Sequence, residues 1–220
     1  MEKTALSLPQ VTADLYRTAA PAETLITVLL PVPADLSRLP VYKKDRAALL
    51  ALTGLDWNAL PPWPAPPLRP GDAPFTGGAA EFLAALTETI LPEAEQAAGL
   101  APARRFLLGI SLSGLFALWA SCMTDRFAAC AALSGSFWYD GFTDWLRTHP
   151  ARVPRVYLGL GRREKDARHP RLAAIERATD ETAAILRGAG VSVTAERFPG
   201  GHRTTPDRLA RAVRWLLDGQ

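Results

Sequence analysis

Short apolar runs of strand length recur along the chain and alternate with longer segments of helical periodicity. Each run is bounded by turn-forming residues and is apolar on both faces, as in strands of a parallel sheet that helices cover on both sides. The runs are residues 24–32, 47–53, 105–110, 128–133, 153–160 and 191–198. This alternation limits the architecture more than composition does, and it predicts an α/β fold with a mostly parallel sheet and helices on both faces.

Four segments between or after these runs have the spacing of helices. They are residues 79–98, 112–123, 172–187 and 206–217. In the first, Phe82, Leu83, Leu86 and Ile90 share one face, and Pro92 is expected to kink or end the helix because proline removes a backbone donor. Ligands of such sheets bind beyond the carboxyl ends of the strands, so the turns after the strands are where functional residues are expected.

Composition favours one domain over residues 1–220. Nearly half of the 220 residues are apolar, so a large core can form without disulfides or metals. The net charge of +3 is small and dispersed, which argues against nucleic-acid binding. The two cysteines have no metal or redox spacing, and no segment reads as a signal peptide or a membrane span. We therefore expect a soluble, cytoplasmic protein without metal, cofactor, nucleic-acid or membrane partners; its oligomeric state is left open.

Residues 60–75 interrupt the pattern with seven prolines and Trp63. Proline fixes φ and donates no hydrogen bond, so this segment is predicted to be a stiff, extended loop. Two interpretations carry equal weight. The segment is either a surface connector or a wall or lid over a binding site, because long ordered loops in compact domains are often functional.

Ser111 lies at the apex of a tight turn between an apolar strand and a helix of small and apolar residues, over residues 106–117. A serine in this position has its hydroxyl exposed at the top of the sheet, and the backbone N–H of the next residue, Leu112, can stabilise an oxyanion. The match to the pattern G-x-S-x-G is incomplete, since Ser113 stands where the last glycine is expected. An ordinary strand-to-helix junction is the structural alternative.

A serine nucleophile needs a base and an acid that orients the base. Of the three histidines, His149 and His169 each precede a proline in a loop, whereas His202 follows two glycines after the last predicted strand. His202 is therefore the predicted base. The acid is expected after the preceding strand, where Glu164 is preferred to Asp166. The alternative is that both acids only pair with nearby arginines, an interaction of little energetic value at a surface.

With these residues identified, the chain resembles the α/β-hydrolase superfamily and, within it, the esterase D and enterochelin-esterase-like branch. The resemblance implies that Ser111 is the nucleophile, His202 the base and Glu164 the orienting acid, and that the substrate is a carboxylic ester, a thioester or a siderophore ester. The similar stretches are residues 54–64, 77–83, 108–119, 133–138, 157–164 and 199–202.

Two departures from the family pattern affect what is expected. Ser113 replaces the usual glycine or alanine, and the region before residue 45 is too short for the full set of N-terminal strands, so a shortened N-terminal part is predicted. In the family, the loop after an early strand supplies the second oxyanion N–H. Leu112 is the first expected donor, and Leu55 is the candidate for the second.

The expected function is hydrolysis of a small-molecule carboxylic ester or thioester through an acyl-enzyme. The candidate substrate contacts are Asp56, Trp57, Trp63 and Trp138. For each tryptophan, core packing is at least as good an interpretation. Two alternatives from other classes remain at this point: a non-catalytic binding protein that keeps the α/β-hydrolase fold, and a partner-binding module that uses the proline-rich segment.

Overall fold

The sheet dominates the structure, a computed structural model that describes residues 1–8, 11–18 and 21–218. Eight strands lie in the order β1-β2-β4-β3-β5-β6-β7-β8. Their bounds are Glu2–Leu8, Val11–Arg17, Thr24–Leu29, Ala47–Thr53, Arg104–Ile110, Ala129–Leu133, Arg155–Gly161 and Ser192–Phe198, for β1 to β8. Strands β3 to β8 pair in parallel, and all six strands predicted from the sequence are present.

The N-terminal part is not shortened, and this prediction was wrong. Strands β1 and β2 pair antiparallel, and β2 then joins β4 antiparallel, with Leu15 opposite Leu50. They were missed because β1 is exposed along most of its length, and in β2 the polar residues Thr12, Asp14 and Arg17 interrupt the apolar ones. Neither strand therefore has the continuous apolar run that marks a strand at the centre of the sheet.

Helices cover both faces of the sheet, as predicted. The helices α1 to α7 are Ala79–Ala85, Leu91–Ala98, Leu112–Met123, Phe142–Thr148, Pro170–Ala173, Ile175–Gly188 and Pro206–Asp218. A π-helical turn, Leu86–Ile90, joins α1 to α2 without a break. The predicted kink at Pro92 thus takes the form of a π turn directly before the proline, which lies in the first turn of α2, where a missing N–H costs little.

Two separate cores lie on the two faces of the sheet. One face packs against α1 to α6 and holds residues such as Phe116 and Phe142. The other packs against α7, through residues such as Leu216, and against the irregular segment that contains Leu36 and Leu39. Among the described residues, no helix has the length and apolar character needed to cross a bilayer.

The proline-rich segment is packed against the body of the protein. Its Ala65 and Phe75 exchange two backbone hydrogen bonds, which close it into a compact loop. The Trp63 indole donates to the Asp140 carbonyl at 2.8 Å, and the Tyr139 hydroxyl donates to the Trp63 carbonyl at 2.5 Å. Since both bonds reach across to the loop after β6, the segment is held in a single place next to the carboxyl ends of the strands.

Candidate active site

Four adjacent parallel strands, β5 to β8, end at the same edge of the sheet. Ser111 directly follows β5, Ser134 directly follows β6, Glu164 follows β7, and His202 follows β8. Because neighbouring parallel strands bring their carboxyl ends together, four segments that are far apart in the sequence converge there.

The turn at Ser111 has the strained geometry that a serine at this position requires. Ser111 has φ of +60°, in the region that favours glycine, and it immediately precedes α3. A Cβ at Gly109 would lie 1.9 Å from the Ser113 carbonyl oxygen, so only glycine fits there. The Ser111 carbonyl accepts backbone N–H bonds from Gly114 and Ser136, which hold the turn in place.

Ser113 occupies its position with a fully buried, hydrogen-bonded side chain. Its Oγ accepts the Ile110 N–H at 2.8 Å and lies 2.9 Å from the carbonyl oxygens of both Leu29 and Ile110. The hydroxyl thus bridges the ends of β3 and β5 underneath the turn. A serine therefore fits at position 113, where the family pattern has glycine or alanine, and its hydroxyl forms hydrogen bonds there.

Ser111, His202 and Glu164 form a continuous hydrogen-bonded chain. The distance between His202 Nε2 and Ser111 Oγ is 3.1 Å, and that between His202 Nδ1 and Glu164 Oε2 is 2.6 Å. The Glu164 side chain is 1% exposed, whereas that of His202 is 54% exposed. The imidazole therefore has a buried acid on one side and an accessible hydroxyl on the other, the arrangement that serine nucleophiles require.

The Glu164 carboxylate is held by donors from three other residues. Burial alone would raise its pKa, but hydrogen bonds from His202, Ser134 and the Gly161 N–H outweigh burial, and the pKa lies below its usual value. Ser134 Oγ and Gly161 N donate to Oε1 at 2.7 Å and 2.6 Å. The acid is thus kept ionised and fixed in orientation.

Arg208, from the first turn of α7, supports the loop that carries His202. It is 3% exposed, and its guanidinium donates to the carbonyls of Gly201 at 2.8 Å and Pro199 at 2.6 Å. The same Nη1 lies 3.8 Å from Glu164 Oε1. One buried cation therefore braces the base loop and lies beside the negative charge of the acid.

A cavity of about 290 Å³ opens beside Ser111 and His202. Ser136, whose Oγ lies 3.5 Å from Ser111 Oγ, is part of its wall. The apolar part of the wall consists of Leu68, Leu112, Trp138, Ala167, Leu172 and Ile175. Leu68 belongs to the proline-rich segment. The segment therefore forms part of the cavity wall, which agrees with the second of its two interpretations.

Trp138 is the one predicted substrate contact that lines this cavity. Leu55 and Asp56 line a different cavity, with no lining residue in common with the first. They follow β4, which β3 separates from β5, so the structure does not bring Leu55 to the turn at Ser111. Trp63 packs against Tyr139 and Trp145, and Trp57 packs against the core, so neither lines the cavity.

Sequence reasoning missed three residues of the site: Ser134, Ser136 and Arg208. Ser134 and Ser136 lie in a serine-rich turn after β6 that belongs to the stretches resembling the esterase family, and no sequence pattern indicates Arg208. Asp166, the alternative acid, lies at the surface 3.4 Å from Arg163 Nε. Among the described residues, no three histidine, cysteine or acidic side chains are grouped as they would be to hold a metal ion.

Residues 62–210 match the sequence family described as "Putative esterase". This is more than half of the chain, and it includes Ser111, Glu164 and His202. A search of curated proteins gives no match.

Solved structures of esterases and hydrolases share the fold at low sequence identity. The siderophore hydrolase EstB from Aspergillus nidulans is 18% identical with a TM-score of 0.67, and the match covers 98% of this chain and 94% of EstB. The IroE-like serine hydrolase from Shewanella oneidensis is 15% identical with a TM-score of 0.74 and coverages of 99% and 80%. The enterobactin esterase Fes from Shigella flexneri is 21% identical, with a TM-score of 0.68 and coverages of 99% and 58%.

Proposed function

The chain belongs to this esterase family and is a serine hydrolase of carboxylic esters; from that premise we propose that Ser111, His202 and Glu164 are its catalytic triad and that the reaction passes through an acyl-enzyme. The observation that carries the proposal is the hydrogen-bonded chain from Ser111 Oγ through His202 to Glu164. Nucleophile, base and orienting acid are within reach of one another in the order that acyl transfer requires.

In the first half-reaction, His202 Nε2 takes the proton of Ser111 as Oγ attacks the ester carbonyl carbon. The tetrahedral intermediate collapses when the bond to the leaving oxygen breaks, and His202 returns its proton to the departing alcohol. Water then attacks the acyl-enzyme with His202 again as base, which releases the acid and restores Ser111. Glu164 holds the imidazole in the required tautomer and stabilises the imidazolium.

The oxyanion is stabilised first by Leu112 N–H. This is the first backbone donor of α3, and such a donor has no acceptor within its own helix. For the second donor we assign Val32, in the segment that follows β3. Leu30 N–H is used in a bond to Leu52, and residues 31 and 33 are prolines without an N–H.

The Val32 assignment has a matched pair of variants. Val32→Pro removes the N–H, and loss of one oxyanion donor is expected to lower kcat by about 10²–10³. Val32→Ala keeps the N–H and is expected to keep kcat near the wild-type value. Equal kcat values for the two variants, measured with p-nitrophenyl acetate, would rule out this donor.

Covalent labelling and turnover together test the triad. A fluorophosphonate is expected to label Ser111 in the wild type, and Ser111→Ala is expected to lose up to about 10⁶ in kcat, with about 10⁴ lost for Glu164→Gln. Ser136→Ala is the control, because it removes the other hydroxyl near the reacting atoms and should still be labelled at Ser111. No labelling between pH 6 and 9 would favour a non-catalytic binding protein, and wild-type turnover of p-nitrophenyl acetate by Ser111→Ala would exclude Ser111 as nucleophile.

A further inference from the structure

The cavity beside Ser111 is small and predominantly apolar. Its volume of about 290 Å³ is at the lower end of the range for ligand sites, which is roughly 300–1,000 Å³. Of the described residues that line it, the charged or titratable ones are Glu164 and His202, and these are bonded to each other. The rest of the wall is mostly aliphatic or aromatic, so a group that enters it is recognised by removal of apolar surface from water.

The cavity adjoins the position that an acyl group on Ser111 would occupy. Leu112, the residue after the nucleophile, both contributes an oxyanion N–H and lines the cavity, so a group bonded to Ser111 Oγ adjoins its wall. The leaving alcohol must contact His202 Nε2; His202 also lines the cavity, but its side chain is more than half exposed. An alcohol at Nε2 therefore has a route to solvent past the imidazole, which leaves the cavity for the acyl group.

The guanidinium of Arg171, which lies over Trp138, makes its polar contacts with residues outside the cavity wall. Arg171 stacks over the Trp138 ring at 5.2 Å, and it is not among the residues that line the cavity. One of its Nη atoms donates to the Pro66 carbonyl and the other lies 3.2 Å from the Asp140 carboxylate. Among the described residues that line the cavity there is no lysine or arginine, so an anionic acyl group would leave water without a cation in the wall, which is unfavourable.

We propose that the enzyme is selective for esters whose acyl group is compact, apolar and uncharged, and tolerant of the alcohol. This inference rests on the proposed acyl-enzyme at Ser111. It names the class of substrate that the geometry favours: short- to medium-chain or similarly small apolar acyl esters, in preference to long-chain esters and to esters of dicarboxylic acids.

The test is kcat/KM for a series of p-nitrophenyl esters with the wild-type protein. From acetate through butyrate to hexanoate, kcat/KM is expected to rise by about fourfold for each buried methylene and then to fall by octanoate or dodecanoate, when the cavity is full. The monoester of adipate has the same chain length as hexanoate but ends in a carboxylate, and it is expected to react more slowly by at least about tenfold. Methyl and octyl butyrate should differ little.

Substitutions of residues that line the cavity test whether the cavity determines the preference for acyl chain length. Leu172→Ala enlarges the cavity and is expected to move the optimum to longer acyl chains, while Leu68→Trp fills it and moves the optimum to shorter ones. Ile185→Ala is the matched control, because Ile185 is also a half-buried aliphatic residue on the same side of the sheet but does not line this cavity. Its chain-length profile is expected to match the wild type.

Fluorophosphonate labelling separates the two proposals. If Ser111 is labelled but the acyl profile is flat, or adipate is preferred to hexanoate, or the alcohol series shows the strong dependence instead, the acyl-pocket inference is overturned and the triad stands. If Ser111 is not labelled at all, the proposed function itself fails.

Discussion

At the scale of single residues, Ser113 connects parts of the site that belong to different elements. Its buried hydroxyl joins the end of β3, the end of β5 and the first turn of α3 through contacts of 2.8–2.9 Å. The segment after β3 holds the proposed second oxyanion donor, and α3 holds the first. A glycine or alanine in this position would leave those two parts joined only through the sheet.

Removal of this hydroxyl is expected to destabilise the fold. In Ser113→Ala the buried Ile110 N–H loses its side-chain acceptor, which is expected to lower the free energy of unfolding by about 1–3 kcal/mol. Ser121→Ala is the control: Ser121 is equally buried on α3, but its Oγ donates to Ala117 within the same helix. Urea denaturation should show a smaller loss of unfolding free energy for Ser121→Ala than for Ser113→Ala. Equal losses would mean that the hydrogen bonds of Ser113 between elements stabilise the fold no more than a bond within one helix does.

Glu164 links stability to pH. Its pKa is lower in the folded protein than the usual value of 4.5, so the unfolded chain binds this proton more tightly. The resulting stabilisation is complete above that usual value and is lost as pH falls through the lowered pKa. The difference in unfolding free energy between wild type and Glu164→Gln should therefore be large at about pH 7 and narrow by about pH 3.

The matched comparison for Glu164 is the exposed Glu88. The difference between wild type and Glu88→Gln, from chemical denaturation at the same two pH values, is expected to stay nearly constant. A Glu164→Gln difference that widens on acidification would contradict the sign of the shift.

The three residues of the proposed triad could be predicted from sequence because each follows a recognisable strand or a glycine-rich turn. Ser134 and Arg208 could not be predicted in the same way. Their importance comes from contacts with Glu164 and with the His202 loop, which exist only once β6, β7 and α7 are side by side. Leu55 was misplaced for the same reason: the sequence contains the strand before it but not the order of the strands in the sheet.

At the scale of elements, the proline-rich segment depends on a close backbone approach. Gly77 has φ of +80°, and a Cβ there would lie 2.5 Å from the Trp63 carbonyl carbon. Gly71, within the same segment, has φ of +89° and no heavy atom within 4 Å of such a Cβ. An alanine at Gly71 or at Gly77 would therefore meet the same backbone strain. Of these two positions, only Gly77 lies against the backbone of the proline-rich segment, at Trp63.

Alanine substitutions at Gly71 and Gly77 distinguish the cost of backbone strain from the cost of steric overlap with Trp63. Gly71→Ala is expected to cost about 1–2 kcal/mol from the left-handed conformation alone. Gly77→Ala carries the same strain and adds about 1–3 kcal/mol of overpacking against Trp63. Thermal unfolding would give the two costs, and limited proteolysis should cut residues 60–75 faster in Gly77→Ala. Equal costs would show that the approach of Trp63 can relax.

Most elements follow from apolar periodicity, and those that were missed lack it. Strands β3 to β7 are apolar runs inside the sheet, whereas β1, at one edge, is exposed and β2 beside it alternates. Helix α4 was also missed, because seven residues are too few to establish a helical period. Edge strands and short helices are positioned by tertiary contacts, which a single sequence does not show.

At the scale of the whole molecule, one sheet holds two cores that are unequally covered. Six helices pack on one face, but α7 is the only described helix on the other. The two faces share every strand, so we expect them to unfold as one unit and the chain to behave as a single domain. The sequence predicts a single domain from its length and apolar content, and cooperative unfolding would test that prediction.

A pair of leucine truncations tests this cooperativity. Leu216 on α7 and Leu186 on α6 are fully buried on opposite faces, and each change to alanine is expected to cost about 2–5 kcal/mol. In both variants, far-ultraviolet circular dichroism and tryptophan fluorescence should report one coincident transition at a lower urea concentration. Two separated transitions in Leu216→Ala would show that the faces unfold independently.

Arg208 makes α7 part of the support of the proposed triad. Its guanidinium donates to the carbonyls of Pro199 and Gly201, just before His202. Unfolding of α7 would therefore free the imidazole to move, although none of the described residues that line the cavity belongs to this helix. Turnover would then fall while affinity for the ester was preserved.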